Sequence, residues 1–347
     1  MSSLVSDATS ASVVAPVPAQ APAAFPRLYE IERTAARLAG QILQTPVWRW
    51  QTGVVERLLN PQTEVWLKLE LFQRTGTFKL RGALNCIRAL DEQARSRGVV
   101  GASAGNHAVA LAYAARAAGT TAKLAMPRHA NPARVSACRE QGAELLLTDT
   151  IHDAFALAQK LAADEGRTMV HPFDGPRTAE GTATIGLELM RQVRGLDAVV
   201  VPVGGGGLCG VIAAAVKQIN PRCKVFGVEP FGADAMYRSF QAGEPVKLER
   251  VDTIADSLGA PYALAYSYGV CRRFVDEIVR VGDDELAASM HHLFRDMKLV
   301  AEPAAAAATA ALLGPLRERL DGKRVGLIVC GTNIDAARFS ELLARAT

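Results

Sequence analysis

The segment LKLELFQRTGTFKLRGAL (67–84) places Lys79 directly after a Thr-Gly-Thr turn, at the start of a helix expected over 78–90. Apolar neighbours and the positive end of a helix dipole both disfavour an ammonium group there. A lysine so placed can shed its proton and condense with a carbonyl, the chemistry behind Schiff-base cofactors. Taken alone, the segment is explained as well by a surface lysine on an amphipathic helix.

Three further segments follow strands and can hold an anion or a ring. Ser103-Ala104-Gly105-Asn106-His107 lies between an expected strand (98–102) and an expected helix (106–118). Backbone N–H groups at such a helix start suit a phosphate or a carboxylate, and a plain N-cap turn is the simpler alternative. Gly204, Gly205, Gly206 and Gly207, with Leu208, separate a strand (198–203) from a helix (209–218). Consecutive glycines let the backbone close on a phosphate with no side chain in the way. A dinucleotide-binding loop is the rival; it wants an acidic residue about 20 positions on, and Glu229 after the next strand keeps it open. Finally, Val329-Cys330-Gly331-Thr332-Asn333 ends a strand expected over 324–329. Cys330 by itself reads as a small buried hydrophobe. In open α/β folds ligands bind at the carboxyl ends of parallel strands, so all four segments can meet at one such edge.

The elements that must position them alternate along the chain. Helices are expected over 29–43, 131–141, 152–164, 183–193, 283–297, 303–320 and 336–345, and strands over 64–69, 121–126, 144–148, 169–170 and 225–228. Such alternation means an α/β fold whose parallel sheets are covered on both faces. The chain has 347 residues, 49% hydrophobic and 21% charged, with a net charge of +4. That composition is ordinary for a globular enzyme and lacks the basic runs of a nucleic-acid binder. The longest apolar stretch, 304–313, is far shorter than the roughly 20 residues of a membrane span. Cys86, Cys138, Cys209, Cys223, Cys271 and Cys330 form no CxxC pair, which reads as free thiols and a cytoplasmic location. The Ala-, Val-, Ser- and Pro-rich stretch 1–26 reads as a disordered tail.

TGTFKLRGA, SAGNHA, GGGGLCG and CGTN, in that order, resemble the serine/threonine dehydratase branch of the fold-type II pyridoxal-phosphate enzymes, and the similarity runs from about Arg33 to Ala346. The resemblance implies a large domain (27–98 and 171–347) and a small one (99–170), each an open parallel sheet, with pyridoxal 5′-phosphate in the cleft between. Lys79 would carry the cofactor as a Schiff base and serve as acid and base at Cα. Phe78 would pack beside the ring, Gly204 to Leu208 would cup the phosphate, and Asn106 would bond the ring hydroxyl. Ser103, Ala104, Gly105, Asn106 and His107 would hold the substrate carboxylate. Cys330 would sit at the pyridine nitrogen, and Glu302 matches a position near the cofactor. A neutral thiol there does not demand a protonated pyridine, because S–H is a weak donor and a weak acceptor. That favours prompt loss of a β-hydroxyl over long-lived carbanion chemistry.

Departures from the family pattern carry information too. Related racemases have a second serine where this chain has Ala104, whose methyl cannot transfer a proton, so elimination is expected rather than racemisation. A family cation site would use Glu229 and the Ala233 carbonyl, but its third position is Ala235, with Asp234 adjacent. That incomplete oxygen set disfavours Mg²⁺ and leaves a monovalent cation such as K⁺, or none. No C-terminal regulatory domain is expected after the CGTN motif, and homodimers are usual for the family. The expected activity is conversion of L-threonine or L-serine to a 2-oxo acid and ammonia. The alternatives are another β-hydroxy amino acid (a hydroxyaspartate, a phenylserine or a hydroxyectoine-derived compound), a racemase, or a non-catalytic cofactor binder. A β-carboxylate would need an extra cation, and the sequence does not place Arg134 or Arg177 in the pocket. The pocket-shaping loop 257–267 has no readable code.

Overall fold

The computed structural model describes residues 25–345. The expected tail therefore lies outside the described residues except for Phe25 and Pro26. Those two are docked: the Phe25 ring meets Phe274 edge-on at 4.8 Å, and Gln218 Nε2 donates to the Pro26 carbonyl at 3.0 Å.

Among the described residues ten strands form two sheets. The larger is built from β1 (Val47–Trp50), β2 (Glu64–Leu69), β7 (Ala198–Pro202), β8 (Lys224–Pro230), β9 (Glu277–Val281) and β10 (Arg324–Val329). Its order is β1-β2-β10-β7-β8-β9. The smaller contains β3 (Val99–Ala102), β4 (Ala122–Pro127), β5 (Glu144–Thr148) and β6 (Thr168–Met169), in the order β5-β4-β3-β6 and parallel throughout. Central strands such as AVVVP in β7 are buried on both faces, as a helix-covered parallel sheet requires.

The larger sheet departs from the all-parallel expectation at one edge, where β1 runs antiparallel to β2. The intervening helix Val54–Leu58 has five residues, too few to carry the chain back across the sheet as a parallel connection demands. Helix boundaries also move for local reasons. The first helix ends at Leu38, ahead of Gly40 at φ +76°, and the one expected over 303–320 stops at Leu313, before Gly314. The helix expected over 183–193 begins earlier, at Pro176, because proline is well suited to a first helical turn.

A buried ion network fixes the lysine-bearing helix Lys79–Arg88 to the larger sheet. Arg81 donates through Nε and Nη2 to both Glu70 oxygens at 2.8 Å, and through Nη1 to Glu188 at 2.7 Å. Lys68 on β2 donates to the same Glu188 at 2.7 Å. Two cations thus share two carboxylates out of water, where an unmatched charge would cost several kcal/mol. The helix Pro176–Gln192 crosses this one closely, for a Cβ at Gly181 would lie 2.3 Å from the Arg81 carbonyl. No helix among the described residues is long and apolar enough to cross a membrane.

Candidate active site

The carboxyl ends of β3, β4, β7 and β10 open on one cavity of about 490 Å³, whose lining includes Ala102, Pro127, Pro202 and Cys330. It gathers the lysine, the asparagine loop, the glycine loop and the cysteine, so all four sequence segments share one site.

Lys79 is placed by a join between segments far apart in the chain. Phe78 N–H donates to the Cys330 carbonyl at 3.2 Å, Thr332 N–H to the Gly76 carbonyl at 2.9 Å, and Asn333 Nδ2 to the Thr75 carbonyl at 2.9 Å. The turn before the lysine is thereby knitted to the end of β10. Lys79 Nζ donates to the Pro172 carbonyl at 2.7 Å and lies 4.9 Å from the centre of the Phe78 ring. Burial, only partly offset by Cys330 and Glu302, lowers its pKa to about 8. A much larger fraction of this amine is neutral near pH 7 than for an exposed lysine.

The glycine loop is held from below by the segment after β6. A Cβ on Gly205 would lie 2.3 Å from the Phe173 ring, and one on Gly207 would lie 2.1 Å from the Phe173 carbonyl oxygen. Gly206 has φ +87°, a conformation that side-chain-bearing residues avoid. Gly204 to Leu208 line the cavity and lead into helix Cys209–Ile219, an arrangement suited to a phosphate.

In the asparagine loop, helix Asn106–Ala117 starts with the N–H groups of Asn106 and His107 ahead of its first internal bond, from Ala108 N to the Gly105 carbonyl. Ser103 Oγ accepts from Gly105 N–H at 3.0 Å and shapes the turn. The His107 ring is directed away: its Nε2 pairs with the Val170 carbonyl at 2.8 Å, and burial with Lys79 nearby lowers its pKa to about 3. A neutral ring so engaged leaves its backbone N–H as what His107 can offer a carboxylate. Ala104 lines the cavity with a methyl.

Asn106 is locked at both ends. Its Nδ2 donates to Glu302 Oε1 at 2.7 Å and its Oδ1 accepts from Asn333 Nδ2 at 2.7 Å. Glu302 is buried, and desolvation together with Asp256 raises its pKa to about 7, while Arg134 and Asn106 oppose the shift. Its Oε2 has no hydrogen-bond partner and sits 3.9 Å from Arg134. Burial, with Glu302 nearby, pushes the Cys330 thiol well above its usual range, so it is neutral.

Several lining residues escaped sequence reasoning. Arg134 reaches the cavity from helix Pro132–Glu140, pairs with Asp256 at 2.5 Å and donates twice to the Asn333 carbonyl, at 3.2 and 2.9 Å. Arg177 stays outside, largely exposed and paired with Glu180 at 3.2 Å. Pro172, Phe173, Phe155 and Asp256 also line the site, and Ser257 and Tyr262 do so from the loop expected to shape the pocket. They come from loops and a helix face with no motif, and the carbonyl of Pro172 is backbone, invisible to any reading of side-chain types.

The expected cation site is differently engaged. Both Glu229 oxygens accept backbone N–H groups, from Met236 at 2.9 Å and Tyr237 at 2.7 Å. Asp234 is taken by Arg280 at 2.9 Å and Arg238 at 2.8 Å, and the Arg280 guanidinium lies 3.9 Å from the Tyr237 ring centre. Among the described residues no group of three His, Cys, Asp or Glu side chains is arranged to hold a metal. The residues present do not fit a cation here.

A buried, readily deprotonated lysine facing a glycine-lined anion cradle defines an enzyme that holds a phosphorylated carbonyl cofactor. The chain belongs to the pyridoxal-phosphate-dependent enzyme family, whose model matches residues 38–331. It is 51% identical to a phenylserine dehydratase of Ralstonia pickettii over 319 residues, covering 92% of this chain and 97% of the relative. It is 38% identical to an L-threonine ammonia-lyase of Thermotoga maritima, covering 81% of this chain and 70% of that one. Among solved structures, maize serine racemase superimposes with a TM-score of 0.86 at 32% identity, covering 92% of this chain and 97% of that one. The fold-type II architecture expected from the motifs is therefore the one the chain adopts.

Proposed function

We propose that the protein is a pyridoxal-phosphate-dependent ammonia-lyase that dehydrates a β-hydroxy-α-amino acid, with 3-phenylserine as its substrate. The β-hydroxyl leaves as water, one water returns to hydrolyse the resulting imine, and the products are phenylpyruvate and ammonia.

The pairing of charges in the cavity carries the choice of substrate. Lys79 and Arg134 are the lysine and arginine of the lining, and Arg134 is already engaged by Asp256 and the Asn333 carbonyl. Asp149 and Asp256 line the wall paired with Arg128 and Arg134, and His129 is exposed at the rim. A second substrate carboxylate would find no free cation, which disfavours hydroxyaspartate. Ile151, Phe155, Phe173 and Leu258 give the wall apolar surface, and the 51% identical relative supports an aryl side chain over the methyl of threonine or the hydrogen of serine.

Lys79 would hold the cofactor's carbonyl carbon, the loop Gly204 to Leu208 its phosphate, Asn106 its ring hydroxyl and Cys330 its pyridine nitrogen, with Phe78 alongside. When bound, the cofactor supplies the electron sink for the pair released from the Cα–H bond. Lys79, with its lowered pKa, takes that proton. The backbone N–H groups of Asn106 and His107 orient the substrate carboxylate. Ala104 presents no proton donor on the opposite face, which leaves elimination as the outcome. Residues 99–170 would act as the small domain against 27–98 and 171–345, joined across the cleft by Arg134–Asp256 and by Asn131 Nδ2 to Asp335 at 2.7 Å. No cation is needed, because N–H groups and Arg280 already satisfy Glu229 and Asp234.

The test is 2-oxo acid release by the holoenzyme from phenylserine, threonine, serine and 3-hydroxyaspartate. Phenylserine should show the highest kcat/KM. A preference for hydroxyaspartate would refute the charge argument, and no release from any of them would refute the function.

A further inference from the structure

We infer that Phe155 determines specificity, its ring forming one wall of a slot that takes the aromatic side chain of the substrate. This deepens the phenylserine reading and rests on it.

Phe155 lies on helix Ile151–Glu165, one turn after Ile151, so the two share a face, and both line the cavity. The loop after Ser257 contributes Leu258 and Tyr262 to the same cavity. The Phe155 ring is held in place from behind. It leans on the His171 ring at 5.6 Å between centroids with a 35° tilt, and His171 meets Phe173 edge-on at 4.6 Å. His171 Nδ1 accepts N–H groups of Asp174 at 3.0 Å and Phe173 at 3.4 Å, which fixes that ring in turn. Burial and the nearby Lys79 lower the His171 pKa to about 4, so a neutral ring backs the slot.

The short segment His171-Pro172-Phe173 therefore serves three parts of the site together. Pro172 holds the Lys79 amine, Phe173 supports the glycine loop and His171 orients Phe155. An aromatic wall referenced to the same three residues as the reacting lysine can place a bound ring at a set distance from Cα. Offset or edge-on ring pairs add stabilisation beyond the area they bury, which an aliphatic wall of equal volume lacks. A methyl or a hydrogen in that slot would gain nothing from the ring.

The experiment is Phe155→Leu in the holoenzyme, chosen to keep the apolar packing against Ala154 and Ala158 on the sheet side of the helix. Steady-state kinetics with phenylserine and with threonine give the ratio of interest. The expected result is a loss of about two- to tenfold in kcat/KM for phenylserine, mainly through KM, with threonine unchanged or improved. A general packing defect would lower both substrates in parallel, and that outcome overturns the proposal. A second measurement is independent of turnover: L-phenylalanine, which lacks the leaving hydroxyl, is titrated against the cofactor's visible absorbance. Wild type should bind it about two- to tenfold more tightly than Phe155→Leu. Equal affinities overturn the slot. If wild type binds phenylalanine in this manner yet fails to dehydrate phenylserine, the substrate reading falls and the slot stands.

Discussion

Gly207→Ala should weaken cofactor binding although the glycine itself carries no reacting group. A Cβ at this position would lie 2.1 Å from the Phe173 carbonyl oxygen and 2.7 Å from its Cβ. Backbone atoms cannot rotate out of the way, and the Phe173 ring already fills the space beside Gly205, where a Cβ would be 2.3 Å away. The segment 171–173 must therefore move, and with it the Pro172 carbonyl that holds Lys79 Nζ at 2.7 Å. Overpacking of this sort costs about 1–3 kcal/mol, and if the strain is relieved only by giving up the bound geometry, it appears as a 5- to 150-fold weaker cofactor Kd. The assay is titration of apoenzyme with pyridoxal phosphate, followed by visible absorbance, with thermal melts alongside. Gly282→Ala is the control: its φ is −85°, its nearest neighbour would be the Glu285 carboxylate at 3.4 Å, and it lies outside the site. Cofactor affinity within twofold of wild type for Gly207→Ala, together with an unchanged melt, would refute the claim that Phe173 buttresses the loop.

Other consequences are open to direct measurement. Since burial lowers the Lys79 pKa to about 8, the amine is half neutral near pH 8 and nearly all neutral about one pH unit higher. The rate at which apoenzyme condenses with pyridoxal phosphate should climb and then level off there, and a rate still climbing near pH 10, where an exposed lysine titrates, would contradict the burial argument. Removing cations with EDTA and exchanging K⁺ for tetramethylammonium should leave activity and the thermal midpoint unchanged, since Glu229 and Asp234 are satisfied by N–H groups and Arg280; a rise of several degrees on adding K⁺ or Mg²⁺ would reverse that reading. Glu188→Ala strips a carboxylate shared by Lys68 and Arg81, both fully buried, and should destabilise the fold by about 3–5 kcal/mol in urea denaturation. A loss under about 1 kcal/mol would mean that water reaches the network.

Much of this protein is written in local pattern. Apolar runs such as AVVVP and RVGLIV can only be central strands, because both of their faces need cover, and the chain delivers helices between them. Glycine at 204–207 and the Thr-Gly-Thr turn before Lys79 are legible for the same reason: a backbone that must come close to something leaves its mark in residue type. Other elements were not legible. β1 reads as nothing in particular until β2 pairs with it, and in β9 (EIVRV) Glu277 and Arg280 interrupt the apolar run. Site residues split along the same line.

Lys79 illustrates the boundary. Its sequence neighbourhood determines that a lysine begins a helix after a tight turn, beside apolar residues. Whether that lysine is buried, so that its pKa falls to about 8 despite Cys330 and Glu302, and whether its amine points at the Pro172 carbonyl, depend on groups far away in the chain. The same holds for Arg134, whose charge is available or engaged depending on Asp256 across the cleft, and for Phe155, a plain helix residue until His171 stands behind it. Periodicity and turn chemistry act within a few residues, so sequence by itself determines the elements and the motifs. Burial, charge pairing and the shape of the substrate wall are properties of groups brought together from different elements, so only the tertiary structure decides them.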